Sequence, residues 1–302
     1  MYLKHIVGIL IASLWIALPV MAQDAGTLKK VKDSGTITMG IRESSYPLSY
    51  LDDKQQPIGY HVEICNKIID AAKAQLKVPN LKVQHQPVTS QNRLPLVTNG
   101  TVDLECGSTT NNEARQKQGV AFAPTTYVTN VRMAVKKASG INSIAQLDGK
   151  PVATTTGTTS VQLMRQHEKG QKVNFKEVYG KDHADSFLLL ETDRAVAFVM
   201  DDNLLAGLIF TSKNPAAYAV VGESLSEEPI AIMIRANDEP FKKLVDDTVK
   251  GMAKSGELEK LYNKWFMSPI PPKNVSMNIA MSDKLKELIK NPNDKPAETY
   301  KK

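Results

Sequence analysis

The stretch RLPLVTNGTVDLECGSTT, residues 93–110, decides how the rest of the chain is read. Residues 93–99 form a short helix, with Pro95 near its start, where a missing N–H is harmless, and Gly100 is its stop. Residues 101–106 follow as a strand that ends in the polar run Gly107-Ser108-Thr109-Thr110. Toward the N-terminus lies a second strand, KVQHQ at 82–86, leading to a turn at 89–92. Before it, Ile64, Cys65, Ile68, Ile69, Ala72 and Leu76 recur at helical spacing, predicting a helix with one apolar face that stops near Pro79. Earlier still, TITMGI at 36–41 predicts a strand. The order β-α-β-α-β calls for a parallel sheet with helices on its faces.

Toward the C-terminus, an extended stretch at 120–136 precedes a second copy of the same plan. Strands are expected at 150–155, 173–179, 195–200 and 217–221, and helices at 160–167, 185–191 and 204–210. A further extended stretch at 230–235 leads to helices at 239–254 and 256–266, separated by Gly256. Two extended crossings, near 124–132 and 222–232, imply a chain that passes from one lobe to the other and back. The segment from Ser268 onward, with Pro269, Pro271 and Pro272, reads as a packed extension. Its helix at 284–290 is expected to be solvated, and its last dozen residues frayed.

Composition agrees. The chain has 302 residues, 42% hydrophobic and 23% charged, which excludes disorder, collagen and coiled coil and favours two domains over one. Its 38 Lys+Arg against 32 Asp+Glu give a formal net charge of +6. The lysines are scattered and no aromatic-interleaved basic stripe exists, so no nucleic-acid partner is expected.

Residues 1–22 read as a secretory signal: Lys4 and His5, an apolar run over 6–18, then Val20-Met21-Ala22 before a cleavage point. The alternative is a retained anchor, but that run of about thirteen residues is short of the roughly 20 needed to span a bilayer. No Cys follows the cleavage point to carry a lipid. Cleavage after Ala22 would release a soluble protein into the periplasm. No G-x-G-x-x-G or G-x-x-x-x-G-K-[ST] motif is present, and the five His and two Cys show no zinc spacing. No cofactor or metal is therefore expected. Export also permits a disulfide between Cys65 and Cys106, with two buried thiols as the alternative.

The residues that could carry chemistry follow the strands. Arg42 comes after the first strand, and Ser90 and Arg93 after the second. Ser108, Thr110 and Arg115 follow the third. The second unit offers Thr159 before a helix, His183, and Asp201-Asp202 after a strand. Ligands of open α/β sheets bind at the carboxyl ends of strands, and Arg forks match carboxylates bidentately. The set fits a small ligand with two carboxylates and one cation. Taken singly, each member has a blander reading: a solvated Arg, a Thr-rich turn, an Asp that caps the next helix.

Six segments carry a resemblance: TSQNR (89–93), ECGSTTNN (105–112), GTTS (157–160), KDH-x-DSF (181–187), RAVAF-x-MDD (194–202) and SPIPPKN (268–274). Together they resemble the periplasmic glutamate/aspartate-binding proteins of ABC importers, solute-binding protein family 3. The resemblance implies a two-lobed α/β periplasmic-binding-protein fold of type II, each lobe a mostly parallel sheet flanked by helices. Lobe 1 would comprise 23–128 and 225–302, and lobe 2 would be 129–224. It further implies that Arg115, Ser108 and Thr110 hold a ligand α-carboxylate, assisted by Thr159, and that Asp201 takes the α-ammonium. Arg42, Ser90, Arg93 and His183 would surround a distal carboxylate. The implied partners are L-glutamate or L-aspartate and the membrane subunits of an ABC permease, with the protein a monomer that captures ligand by lobe closure. The sequence departs from the family pattern at its cysteines: Cys65 is unexpected, and a Cys expected near Ile232 is absent.

Charge counting supports an acidic ligand independently. One Arg and one Asp satisfy the shared α-groups of any amino acid, which leaves Arg42, Arg93 and His183 surplus for a neutral side chain. Burying unpaired guanidinium groups costs several kcal/mol. Two rivals share the fold: a periplasmic dehydratase, with Glu43, Glu105 and His183 as candidate acids or bases, and a ligand-reporting module for a sensor.

Overall fold

The computed structural model describes residues 26–171 and 173–300; the expected leader lies outside them. Two five-stranded sheets organise the chain. In the first, Thr36–Ile41 pairs in parallel with Lys82–Pro87 on one side and Leu104–Glu105 on the other. Met233–Arg235 then inserts antiparallel between Leu104–Glu105 and Val120–Phe122. In the second sheet, Lys176–Gly180, Pro151–Thr155 and Ala197–Asp201 run in parallel. Tyr127–Lys136 lies antiparallel between Ala197–Asp201 and the long strand Tyr218–Ile230.

Each sheet is covered by helices whose apolar faces the sequence foretold. In Tyr60–Leu76 the buried residues Ile64, Cys65, Ile68, Ile69 and Ala72 face the sheet and the helix Glu239–Ser255. An aromatic group made of Tyr60, Tyr127, Tyr262 and Phe266 closes this side, with Tyr127 and Phe266 rings stacked at 4.9 Å. The Cys65–Cys106 disulfide joins the same helix to the residue just beyond Leu104–Glu105. It therefore pins the start of the Gly107–Thr110 run to the core, and settles the choice between a bridge and two free thiols.

The two crossings run side by side, because Tyr127 pairs with Ile230 and Thr129 with Glu228. Elsewhere the lobes touch through a third, small sheet of Ser44–Ser45, Ser49–Leu51 and Pro57–Ile58. Its Tyr46 meets the helix Asp202–Thr211 at Gly207, where an added Cβ would sit 2.7 Å from the Tyr46 ring and backbone oxygen. Lys273 fastens the same edge by donating to Ser212 O.

Three expectations change. The strand expected at 101–106 shrinks to Leu104–Glu105, because Thr101 and Val102 donate back to the preceding helix and its end, at Asn99 Oδ1 and Leu96 O. The helix at 284–290 is not merely solvated: Leu285 and Leu288 are buried against the core. The last dozen residues are packed, not frayed, up to residue 300. Thr125 N donates to Asn293 O, Asn111 Nδ2 to Asp294 O, and Ala297 N to Asn111 O. Lysine- and asparagine-rich composition hid this because the backbone, not apolar side chains, makes most of the contacts.

Closing a 41-residue separation removes much of the freedom of the unfolded chain, by about 2–4 kcal/mol in the chain-entropy picture. Replacing both Cys65 and Cys106 by Ala is expected to lower the unfolding free energy by about that amount. Urea denaturation with and without reductant checks it: wild type should become reductant-sensitive and the double variant should not.

Candidate ligand-binding site

Each sheet delivers its polar residues at the carboxyl ends of its strands, and the lobes face each other there. Arg42 extends from Thr36–Ile41 and is held at its backbone by N–H donation to Ser49 Oγ. Ser90 sits in a turn closed by reciprocal bonds between Thr89 and Asn92, and Arg93 opens the helix Arg93–Thr98 that follows. Arg115 lies in the short helix Glu113–Gln116, whose N-terminus is capped by the Asn112 side chain. All three guanidinium groups are buried, at 1%, 2% and 6% exposure for Arg42, Arg93 and Arg115.

On the second lobe, Thr159 opens the helix Thr159–Gln171, His183 opens His183–Glu191, and Asp201 ends the strand Ala197–Asp201. Gly157 brings this lobe against the first: its φ of +81° excludes most side chains, and an added Cβ would lie 2.7 Å from Gln91 Cα. Asp201 makes no cap bond to the following helix, so the capping reading fails for it. Asp202 instead accepts from the Thr129 hydroxyl.

Of the ten residues singled out in the sequence, nine are buried and Asp202 is half-buried; apart from Arg93, the nine fall into two groups. In the first, Arg42 donates to Ser108 Oγ at 3.3 Å, to Ser90 Oγ at 3.0 Å and to His183 Nε2 at 3.2 Å. Since Arg has no lone pair, His183 Nε2 accepts, and its Nδ1–H donates to Thr155 Oγ1 at 3.0 Å. Burial, then the charges of Arg42 and Arg93, hold the imidazole well below its ordinary pKa. His183 is therefore neutral, and in this state it orients Arg42 instead of presenting a proton to a carboxylate. Ser108 likewise sides with Arg42, away from Arg115.

In the second group, Arg115 Nη1 donates to Thr110 O at 2.9 Å. The Thr110 and Thr159 hydroxyls both donate to Glu228 Oε2, at 2.6 and 2.9 Å. Glu228 is buried and was not foreseen; the signal was a carboxylate pair, Glu227-Glu228, inside the second crossing. Burial, then Glu228 and Asp202, push the Asp201 carboxyl well above the usual range, against the opposing pull of Arg93 and Arg115.

Arg93 stands between the groups. Its charge is felt by Arg42, Arg115, His183 and Asp201, while Glu105, Asp201 and Glu228 stabilise it. Its Nε and Nη1 are buried with no hydrogen-bond partner. Burial and Arg93 bring Arg42 down to about 10 and Arg115 to about 9, which leaves both cationic at neutral pH; burial also lowers Arg93, whose guanidinium keeps its proton as arginines in proteins do. Beside this cluster a cleft of about 330 Å³ lies between the lobes, lined by Ser90, Arg115 and Thr159 together with Gln91, Asn112 and Gly157, while Arg42, Arg93, His183 and Asp201 are buried outside its lining. Among the described residues no His, Cys, Asp or Glu group could hold a metal ion. Of the residues considered as acids or bases, Glu43 is exposed, and Glu105 accepts from the Thr109 hydroxyl and supports the arginines.

With Asp201 pushed toward its protonated form, three buried cations face two buried anions, and two guanidinium donors lack acceptors. Such an excess is costly in an unliganded protein. Arg93→Met keeps the bulk and removes the surplus charge. It is expected to raise the unfolding free energy of the ligand-free protein by about 1–3 kcal/mol, read by urea titration after removal of ligand by refolding. A loss of stability would mean that Arg93 is balanced without a ligand.

Known proteins share this arrangement of sequence and fold. The chain is 49% identical over 269 residues, 89% of each chain, to a glutamate/aspartate import solute-binding protein of Escherichia coli. It is 47% identical over 285 residues, 94% of each, to an L-glutamate/L-aspartate-binding protein of Pseudomonas aeruginosa. Among solved structures, the solute receptor for L-cysteine of Neisseria gonorrhoeae superposes with a TM-score of 0.71 at 25% identity, covering 85% of this chain and 99% of that one. Residues 37–268 match the bacterial extracellular solute-binding proteins, family 3, and the chain belongs to that family.

Proposed function

We propose that the protein is the periplasmic receptor of an ABC importer for L-glutamate and L-aspartate, exported by a signal over residues 1–22. The observation that carries this reading is Arg93: a buried cation with two donors unsatisfied, beside a second buried cation whose partners are neutral. An anionic ligand group answers both. Arg42, Ser90 and Arg93 receive the distal carboxylate, and Ser108 and His183 hold Arg42 in place. Arg115 takes the α-carboxylate, joined by main-chain N–H groups of the Thr110 and Thr159 segments and not by their hydroxyls, which donate to Glu228, and Asp201 takes the α-ammonium. The ammonium favours the ionised Asp201, so ligand binding returns to that residue the charge that burial opposes.

Lobe 1 comprises 23–128 and 225–302 and lobe 2 comprises 129–224, closing about the paired crossings as a hinge. The protein acts as a monomer, and the closed form is what the permease subunits receive. No catalytic step is assigned: His183, the best-placed base, has its free lone pair engaged by Arg42.

Calorimetry on protein refolded free of ligand is expected to give L-glutamate and L-aspartate at least tenfold tighter binding than L-glutamine or L-lysine. Glutamine tighter than both acids would overturn the assignment. Arg93→Ala should weaken both acids and narrow their advantage over glutamine. A separate test addresses closure. Gly207→Ala places a methyl against Tyr46, so the lobes cannot meet at that edge. Glutamate affinity should fall about tenfold, and small-angle scattering should show a smaller ligand-induced contraction than in wild type.

A further inference from the structure

Glu228 lies on the hinge strand Tyr218–Ile230, opposite Thr129, yet its side chain reaches both lobes. Oε2 accepts from Thr110 Oγ1 of the first lobe and Thr159 Oγ1 of the second, and Oε1 accepts from Ser226 Oγ. The side chain is buried, at 4% exposure. A hydroxyl has one proton to give and two lone pairs to offer. Both threonines have given theirs to Glu228, so toward the cleft they present acceptors only. Such acceptors repel a carboxylate and suit a group with several N–H donors. Asp201 is near enough for the Glu228 charge to act on it, and it adds a second carboxyl on the same side.

We infer that Glu228 is a positioning residue that makes the site demand an α-ammonium group, by fixing the Thr110 and Thr159 hydroxyls as acceptors and adding a second negative charge. This rests on the amino-acid receptor reading and deepens it: Asp201 supplies the direct partner, and Glu228 decides which way the neighbouring hydroxyls point. The consequence is discrimination between an amino dicarboxylate and a plain one. The guanidinium groups serve both equally, whereas the Glu228 arrangement serves only the first. The Glu228 carboxylate, which accepts from both threonines, also opposes a ligand with no cation to offset its two carboxylates.

The test compares L-glutamate with glutarate, the same dicarboxylate without the amino group, on wild type and Glu228→Gln. Calorimetry reads glutamate, and ligand-dependent thermal shifts read glutarate into the millimolar range. The variant is expected to lose at least tenfold in glutamate affinity while glutarate binding stays within threefold or improves. An equal loss for both ligands, or no loss for glutamate, overturns the inference. Wild type that binds glutamate no better than glutamine defeats the receptor reading itself, a distinct outcome. If glutarate binds neither protein measurably, or Glu228→Gln does not fold, Thr159→Val decides. In the first case, adding Thr159→Val to Glu228→Gln should cost less than threefold further in glutamate affinity, and fully additive losses overturn the inference. In the second, Thr159→Val alone should lower the glutamate-to-glutarate ratio at least fivefold, and an unchanged ratio overturns it.

Discussion

Positive charge buried without enough acceptors is the constraint on which this molecule turns. Arg42, Arg93 and Arg115 are drawn out of water at the ends of strands and in turns and a short helix that the strands lead into, and the nearby carboxylates and hydroxyls do not use all their donors. A protein free to optimise stability alone would place apolar residues there. The surrounding fold makes the burial tolerable. Glu105 and Glu228 stabilise Arg93, Ser90 and His183 receive Arg42, and the Thr110 carbonyl receives Arg115. The remaining deficit sits on Arg93, where a guest with oxygen atoms would remove it.

The two sheets matter because they fix where those donors point. Parallel strands end together, so residues far apart in sequence share one edge. The crossings pair with each other from Thr129↔Glu228 to Tyr127↔Ile230, which brings a hinge residue into contact with both lobes. Gly157 and Gly207 set how near the lobes come on two sides of the cleft, the first against Gln91 and the second against Tyr46. Side-chain absence at these positions is thus as specific as side-chain presence elsewhere.

Much of this was legible in the residues. The strand Thr36–Ile41 lies where its pattern predicted, and the helix Tyr60–Leu76 ends at the predicted apolar stripe. Arg42, Ser90, Arg93, Ser108, Thr110, Arg115, Thr159, His183 and Asp201 are all buried, as polar residues that follow strand ends facing a second lobe come to be. What failed to show had physical reasons. Strands of two or three residues, such as Ser44–Ser45 and Pro57–Ile58, carry no period to detect. Glu228 drew no notice in the second crossing, since nothing local reveals that two distant threonines donate to it. The role of Ser108 shifted because its hydroxyl points along the sheet edge toward Arg42, a direction that spacing does not encode. The segment 291–300 read as loose because its attachments are polar bonds to distant residues, such as Lys242 to Asp294, and Thr125 N and the Asn111 amide to its carbonyls, which local composition does not reveal.

That last attachment bears on the order in which the molecule can be assembled. Asn111 is neighbour to Asn112, the cap of the helix that carries Arg115, and it is held by backbone groups of residues 294 and 297. The first sheet is likewise incomplete until Met233–Arg235 slots between Leu104–Glu105 and Val120–Phe122. The second sheet draws all its strands from one uninterrupted span, 127–230, and can form as soon as that span has emerged. A chain threaded N-terminus first across a membrane would therefore build the inserted lobe early and the arginine cluster last. The surplus charge is completed only when the rest of the scaffold is there to hold it.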